Sequence, residues 1–216
     1  MSGMAYNAYL DAIGSDSERV EIQRFDVGKL LFERGRRHVA AFLICSGAVM
    51  VHRLLEDGRR YVSRFALGGD LIGLSVFERE RFTAHALMPV EAIRIDVHAD
   101  GLPEISSAPQ LSRLLKRAGT ELDTAYQHMI TLGQKRADER LASFLIDFAD
   151  RWRKVHGPVR EIPFPMTRRD IAEYLGLTIE TVSRNITILH KRKLIFAHPH
   201  RYEVLDRDGL AAVAKL

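Results

Sequence analysis

Glu180, Ser183 and Arg184 carry the most specific chemistry in this chain. On a helix, positions i, i+3 and i+4 share one face. A carboxylate, a hydroxyl and a guanidinium on one face can together read base-pair edges. Arg184 can donate two hydrogen bonds to guanine O6 and N7, Glu180 can accept from a cytosine amino group, and Ser183 suits several edges. Ile179 cannot hydrogen-bond but can touch a thymine methyl. Phosphates repel a carboxylate, so Glu180 belongs against DNA only if it reads a base or orients Arg184. A favourable charge at a helix N-terminus is the simpler account of it.

These residues need a helix presented at a fixed angle, and the flanking sequence supplies one. Thr167 is a good N-cap with Asp170 three residues on, close to a capping box. Ile171, Ala172 and Leu175 give a short apolar face, and Gly176 stands where a left-handed residue ends a helix. Thr178 caps a second helix, Ile179 to Arg192, with Val182, Ile186 and Leu189 facing inward. Two short helices joined by a glycine-containing turn make a helix-turn-helix, with a generic helical hairpin as the plainer alternative. The start of the second helix is the part that enters a major groove. Thr167, Arg168, Arg169, Thr178, Thr181 and Lys191 are the candidate phosphate contacts around it, with Arg192 and Lys193 adjoining. Leu194 to Leu205 reads as a small hairpin, a wing, tipped by His198, His200 and Arg201, the last a further phosphate candidate. His198 and His200 show no third ligand in sequence, so no metal is expected there. Asp206 caps a final helix, Arg207 to Lys215.

Upstream, Leu111, Leu115, Ala118, Leu122, Ala125, Met129 and Leu132 recur with alternating spacings of four and three. That is a three-heptad stripe on one helix. It can pack on its own domain, but so narrow a seam favours a second copy of itself, with small alanines allowing close approach. Gly133 and the charged run to Glu139 interrupt the stripe and suggest a hinge. A second amphipathic helix follows with Leu141, Phe144, Leu145, Phe148 and Trp152, ending near His156-Gly-Pro158. Ahead of all this, Val20 to Val97 reads as short strands and turns. Val39 to Cys45 is a buried strand, and Ala48–Leu55 with Arg60–Phe65 forms a hairpin across Asp57-Gly58. Two more short strands lie around Pro89. Such a run argues for an antiparallel barrel or roll.

Composition narrows the function classes. The chain has 216 residues, 46% of them hydrophobic and 28% charged, which suits a packed core. It contains one cysteine, Cys45. That excludes an internal disulfide framework, a cysteine-held iron–sulfur cluster and a cysteine-rich zinc site. No apolar run reaches a membrane-spanning length and no leader is evident, so a soluble, cytoplasmic protein without membrane partners is expected. From Arg151 onward there are 13 Lys+Arg against 7 Asp+Glu, whereas the first 150 residues carry 19 against 21. A basic rear behind a nearly neutral front puts any polyanion at the rear. An enzyme with a cupin-like metal site would need His-x-His and Glu clustered within the strands. The His198/His200 pair instead lies in the wing, so no catalytic residues and no cofactor are assigned.

A β-rich front, a long heptad helix and a C-terminal helix-turn-helix reading Thr178-Ile-Glu-Thr-Val-Ser-Arg184 resemble the Crp/Fnr family of bacterial transcription regulators, over about Val20 to the end. The Glu-x-x-Ser-Arg pattern is similar to the Fnr and FixK branch. The resemblance implies an α+β fold: an antiparallel β-roll like a cyclic-nucleotide-binding domain over 1–106, a dimerisation helix over 107–133, and a winged helix-turn-helix over 134–216. It implies a homodimer reading a TTGA-N6-TCAA-type palindrome in double-stranded DNA, with RNA polymerase as a further partner, the Glu56–Arg59 loop being one candidate contact, and action as an activator. Ile179 stands where the cyclic AMP receptor protein has another base-reading Arg, and Asn185 where a more apolar residue is usual, a departure that implies either lower stability or an added phosphate contact. The candidate effector pocket comprises Gly69, Asp70, Leu71, Arg81 and Thr83. Cyclic-nucleotide binders resemble one another in Arg-Ser/Thr-Ala, and here Phe82 takes the place of that phosphate-binding Arg. The alternative is a ligand-gated regulator whose roll binds a cyclic nucleotide or haem, with His38, His52 and His85 as haem candidates.

Overall fold

A computed structural model describes residues 22–98 and 107–215. Val20, where the strand-rich segment is expected to begin, lies outside them. The chain divides into two compact units, Met1–Leu55 with Ser63–Tyr126, and Glu56–Val62 with Gln127–Leu216. The second unit therefore takes in a hairpin tip that sequence alone leaves with the roll.

The first unit is built from β1 (Ile22–Phe25), β2 (Leu30–Phe32), β3 (Ala40–Ser46), β4 (Ala48–Leu54), β5 (Arg60–Leu67), β6 (Leu71–Ile72), β7 (Thr83–Ala86) and β8 (Val90–Asp96). They form two four-stranded sheets in the orders β1-β8-β3-β6 and β2-β7-β4-β5. Strand β3 explains the unbroken apolar run of its sequence. Phe42 and Ile44 enter a large cluster with Val49, Val51 and Ala84, while Leu43 and Cys45 enter a second with Leu71 and Ile93. A strand buried on both faces shows no alternation. Cys45 is buried there, as its sequence context suggests.

The helix α1 (Ala108–Gln134) begins in the first unit and ends in the second. None of its described residues is buried within this chain.

The second unit continues with α2 (Ala137–His156), β9 (Glu161–Pro163), α3 (Arg168–Leu175), α4 (Ile179–Lys191), β10 (Ile195–His198), β11 (Arg201–Val204) and α5 (Arg207–Ala214). Leu141, Phe144, Leu145, Phe148 and Trp152 of α2 are all buried, the stripe read from sequence. The interruption after Gly133 is only a two-residue break, because Arg136 caps α2 and its amide donates to the Glu139 carboxylate at 3.0 Å. Strand β9, unmarked in the sequence reading, pairs with β11 to give the order β10-β11-β9. The fully buried Tyr202 of β11 donates its hydroxyl proton to the Leu145 carbonyl at 2.6 Å and pins this sheet to α2.

Candidate nucleic-acid interface

The helix that bears Glu180, Ser183 and Arg184 and the helix before it are both set by their ends. Thr167 Oγ1 accepts from the Asp170 amide at 3.1 Å, and the Asp170 carboxylate accepts from the Thr167 amide at 2.8 Å. This reciprocal box satisfies two amide donors that a helix start leaves open. Gly176 takes φ 62° and ψ 41°, the left-handed geometry that ends α3 and turns the chain into α4. Thr178 then accepts from the Thr181 amide at 3.2 Å and starts α4.

Arg140, which the sequence reading passes over, reinforces the same turn. Its Nη1 donates to the Leu175 carbonyl at 3.0 Å, its Nη2 to Leu132 O at 2.6 Å and its Nε to Lys135 O at 2.8 Å. One guanidinium thus satisfies carbonyls at the ends of α1 and α3. An arginine beside a charged run carries no sequence signal of that role, because its acceptors are backbone carbonyls, one of them 35 residues along the chain.

Helix α4 sorts its residues cleanly. Val182, Asn185, Ile186 and Leu189 are buried, at i, i+3, i+4 and i+7. Glu180, Ser183 and Arg184 are exposed on the other side, and Ile179 is also exposed. The inward position of Asn185 rules against its use on phosphate. The Glu180 amide and the Thr178 hydroxyl hold the Glu180 carboxyl below the usual carboxylate range, so it is an anion at neutral pH.

The flanking candidates differ in availability. Arg169 and Lys191 are exposed. Arg168 is half-buried with its guanidinium carbon 5.7 Å from the Phe164 ring centroid, and burial lowers its pKa. The Thr167 hydroxyl also donates to Asp170 at 2.6 Å, and the Thr178 hydroxyl, which serves Glu180, lies 3.1 Å from Thr181 Oγ1, so both hydroxyls are engaged within their own caps. Arg201 pairs with Glu161 at 2.8 Å.

On α1, Leu111, Leu115, Ala118, Leu122, Ala125 and Met129 are exposed, and Leu132 is half-buried. Leu115, Leu122 and Met129 are 61%, 53% and 60% exposed. The stripe read from the heptad spacing is therefore an uncovered apolar seam in the single chain.

The effector candidates need revision. A cleft of about 520 Å³ in the first unit is lined by Phe32, Leu74, Phe77, Arg81, Phe82 and Leu115, among others. Of the five residues assigned from sequence, only Arg81 lines it, and its guanidinium lies 4.5 Å from the Phe77 ring centroid. Asp70 instead accepts from the Leu67 amide at 2.8 Å and pairs with Arg64. The Gly69 carbonyl accepts from Arg117, and Thr83 Oγ1 from the Arg34 amide. Leu71 is part of the hydrophobic core. Asp70, Leu71 and Thr83 are thus held within the roll, and Gly69 by Arg117 of α1. Of the haem candidates, His38 is buried and bonded to Glu80 at 2.6 Å, and His52 and His85 pack edge to face with centroids 5.2 Å apart.

Comparison with known proteins agrees with this architecture. Residues 22–99 match the cyclic nucleotide-binding domain family and residues 139–213 the Crp-like helix-turn-helix domain family. The chain is 35% identical to the transcriptional activatory protein AadR of Rhodopseudomonas palustris over 88% of its own length and 80% of the relative's. It is 36% identical to the nitrogen fixation regulation protein FixK of Bradyrhizobium diazoefficiens, with the same coverage of each. The solved structure of FixK2 from Bradyrhizobium japonicum superimposes with a TM-score of 0.79 at 28% identity, covering 90% of this chain and 97% of that one. No helix among the described residues is long and apolar enough to cross a membrane. A capped helix with Glu180, Ser183 and Arg184 exposed, a winged sheet in the same unit and relatives of this similarity lead to one assignment: the chain belongs to the Crp/Fnr family of DNA-binding transcription regulators, on its FixK-like side.

Proposed function

We propose that this regulator acts as a homodimer that reads a TTGA-N6-TCAA-type palindrome and activates transcription by engaging RNA polymerase in the cytoplasm. It does so with no catalytic activity of its own and no iron–sulfur cluster. Glu180, Ser183, Arg184 and Ile179 face base edges. Arg169, Lys191 and Arg201 supply phosphate contacts, with Arg168 beside them. Thr167, Thr178 and Thr181 contribute through the helix starts they form. The supporting observation is the sorting of α4: its acidic, hydroxyl and guanidinium side chains are exposed together, while Val182, Asn185, Ile186 and Leu189 are buried on the other side. Two such helices bind successive major grooves when the dimer axis matches the operator dyad. The exposed Leu111–Met129 stripe supplies the seam for that axis. The division into roll (1–106), dimerisation helix (107–133) and winged helix-turn-helix (134–216) follows these roles. Selection of bound sequences from a random duplex pool at stated salt tests this reading. A recovered palindrome with TTGA and TCAA arms supports it, and recovery of unrelated or non-palindromic sequences overturns it.

A second reading rests on the cleft of about 520 Å³. Its aromatic lining, with Phe82 at the phosphate position and Arg81 held over Phe77, favours an apolar effector over a cyclic nucleotide. A phosphate there would lose a charge-assisted pair worth roughly 1.5–3 kcal/mol. A rise in Tm with cyclic AMP or cyclic GMP would reverse that preference.

A further inference from the structure

The outer face of the winged sheet brings together three side chains that lie far apart in sequence. Glu161 on β9 is directly opposite Glu203 on β11, and His198 on β10 is opposite Arg201, two residues along the same strand. Side chains alternate across a strand, so all three share one face. Their ligand atoms lie within 4.8 Å of one another. Two carboxylates directly opposed on neighbouring strands repel each other, which favours a cation between them.

Arginines supply part of that charge, each to one oxygen. Arg160 Nε donates to Glu203 Oε2 at 2.7 Å, and Arg201 Nη1 to Glu161 Oε2 at 2.8 Å. The Oε1 atoms of both glutamates and the ring nitrogens of His198 take no hydrogen bond among the described residues. Glu203 is 8% exposed, while the side chain of its arginine partner is 81% exposed. A nearly buried carboxylate is thus balanced by a solvated arginine, with His198 and Glu161 close beside it.

We propose that Glu161, His198 and Glu203 bind a divalent transition-metal ion, zinc by the chemistry of the donors. One imidazole nitrogen with two carboxylate oxygens is a three-ligand zinc set that leaves a fourth position for water. Magnesium and calcium favour shells of oxygen alone. Ligands around tetrahedral zinc stand about 3.4 Å apart, so the three ligand atoms, all within 4.8 Å of one another, need to draw together by at most about 1.4 Å. The ion ties β9, β10 and β11 together and fixes the wing on its sheet.

The test uses the full chain after treatment with a chelator, titrated with ZnCl₂ and, separately, with MgCl₂. One zinc per chain is expected by calorimetry. The Tm should rise by about 5–10 °C at a hundredfold excess over Kd, and magnesium should give no comparable shift. Glu161→Gln and His198→Gln should each weaken zinc binding at least about tenfold. Each variant is compared with its own metal-free Tm, so a less stable fold cannot imitate a lost ligand. No zinc-dependent shift in the natural sequence, or equal zinc affinity in both variants, overturns the site. No DNA enters the measurement, so its outcome is independent of the operator assignment.

Discussion

His128, near the end of α1, lies flat against Tyr174 of α3, with ring centroids 4.1 Å apart and planes 11° from parallel. The stack joins the last turns of the long helix to the first helix of the DNA-reading pair. Burial pushes the His128 pKa below its ordinary 6.5, against a weaker opposing pull from the Tyr174 backbone. The folded form therefore resists a proton that the unfolded chain accepts. Stability contributed by this site is present above pH 6.5 and declines as pH falls below it. The measurement is Tm at pH 7.5 and pH 5.5 for the natural sequence and His128→Phe. The variant should lose less stability over that interval, and identical slopes would exclude His128 as the source.

Gly47 turns the chain between β3 and β4 with φ +90°. A Cβ there would stand 2.3 Å from the Pro89 carbonyl oxygen and 2.8 Å from Val90 Cγ2. Neither the backbone nor a buried valine can move aside cheaply, and the dihedral itself disfavours any side chain. Gly47→Ala should cost at least about 2 kcal/mol, read from chemical denaturation of the roll. A comparable change at Gly58, also at positive φ but with open space around its Cβ position, should cost less. Equal losses at the two sites would mean that strain alone sets the effect.

These cases show what sequence makes legible. Caps and turns are local, so Thr167, Asp170, Gly176 and Thr178 announce the helix-turn-helix by type and spacing alone. The heptad stripe and the apolar face of α2 are equally plain, because periodicity follows from helix geometry. Long-range pairings leave no such trace. Strand β9 is three residues long and contains Pro163, so nothing in Glu161-Ile-Pro163 signals a strand until β11 is beside it. Arg140 and the His128–Tyr174 stack depend on partners tens of residues away. The cleft of the first unit is equally hidden in sequence, because Phe32, Phe77, Phe82 and Leu115 come from separate segments of the chain.

Glu139 gives a second pH dependence, of opposite chemistry. The Lys215 ammonium, 2.7 Å away, and the Arg136 amide hold its carboxyl down to about 2 from an ordinary 4.5. The folded chain releases this proton more readily than the unfolded chain. The pairing therefore contributes stability in full above pH 4.5, and that contribution is lost as pH falls toward 2. Acid unfolding monitored by circular dichroism should begin at higher pH when Lys215 is replaced by Met. An unchanged acid midpoint would show that the ammonium is too solvated to matter.

Leu122 is 53% exposed at the centre of the α1 stripe. If two copies meet there, each leucine enters a hole formed by the partner helix. Leu122→Glu would then place two carboxylates in an apolar seam, while the isolated chain, which leaves this position in water, should tolerate the change. Sedimentation should show a monomer with an unchanged far-ultraviolet spectrum, and affinity for a palindromic duplex should fall with it. A variant that remains dimeric would move the interface elsewhere.

Arg184 and Lys191 separate reading a base from holding a phosphate. Both are exposed and both belong to α4, but Arg184 lies in its first half and Lys191 closes its last turn. Arg184→Ala should cost about 1–3 kcal/mol on a TTGA-type duplex and much less on a scrambled one, so that sequence preference relaxes. Lys191→Ala should weaken binding to both duplexes alike. It should also reduce the slope of log K against log salt by close to one, since one counterion fewer is released. Fluorescence anisotropy on the two duplexes across a salt series measures both effects. If Arg184→Ala lost affinity equally on both duplexes and flattened the salt slope, its guanidinium would be holding a phosphate, and the α4 face would have to be rotated about its axis in the complex.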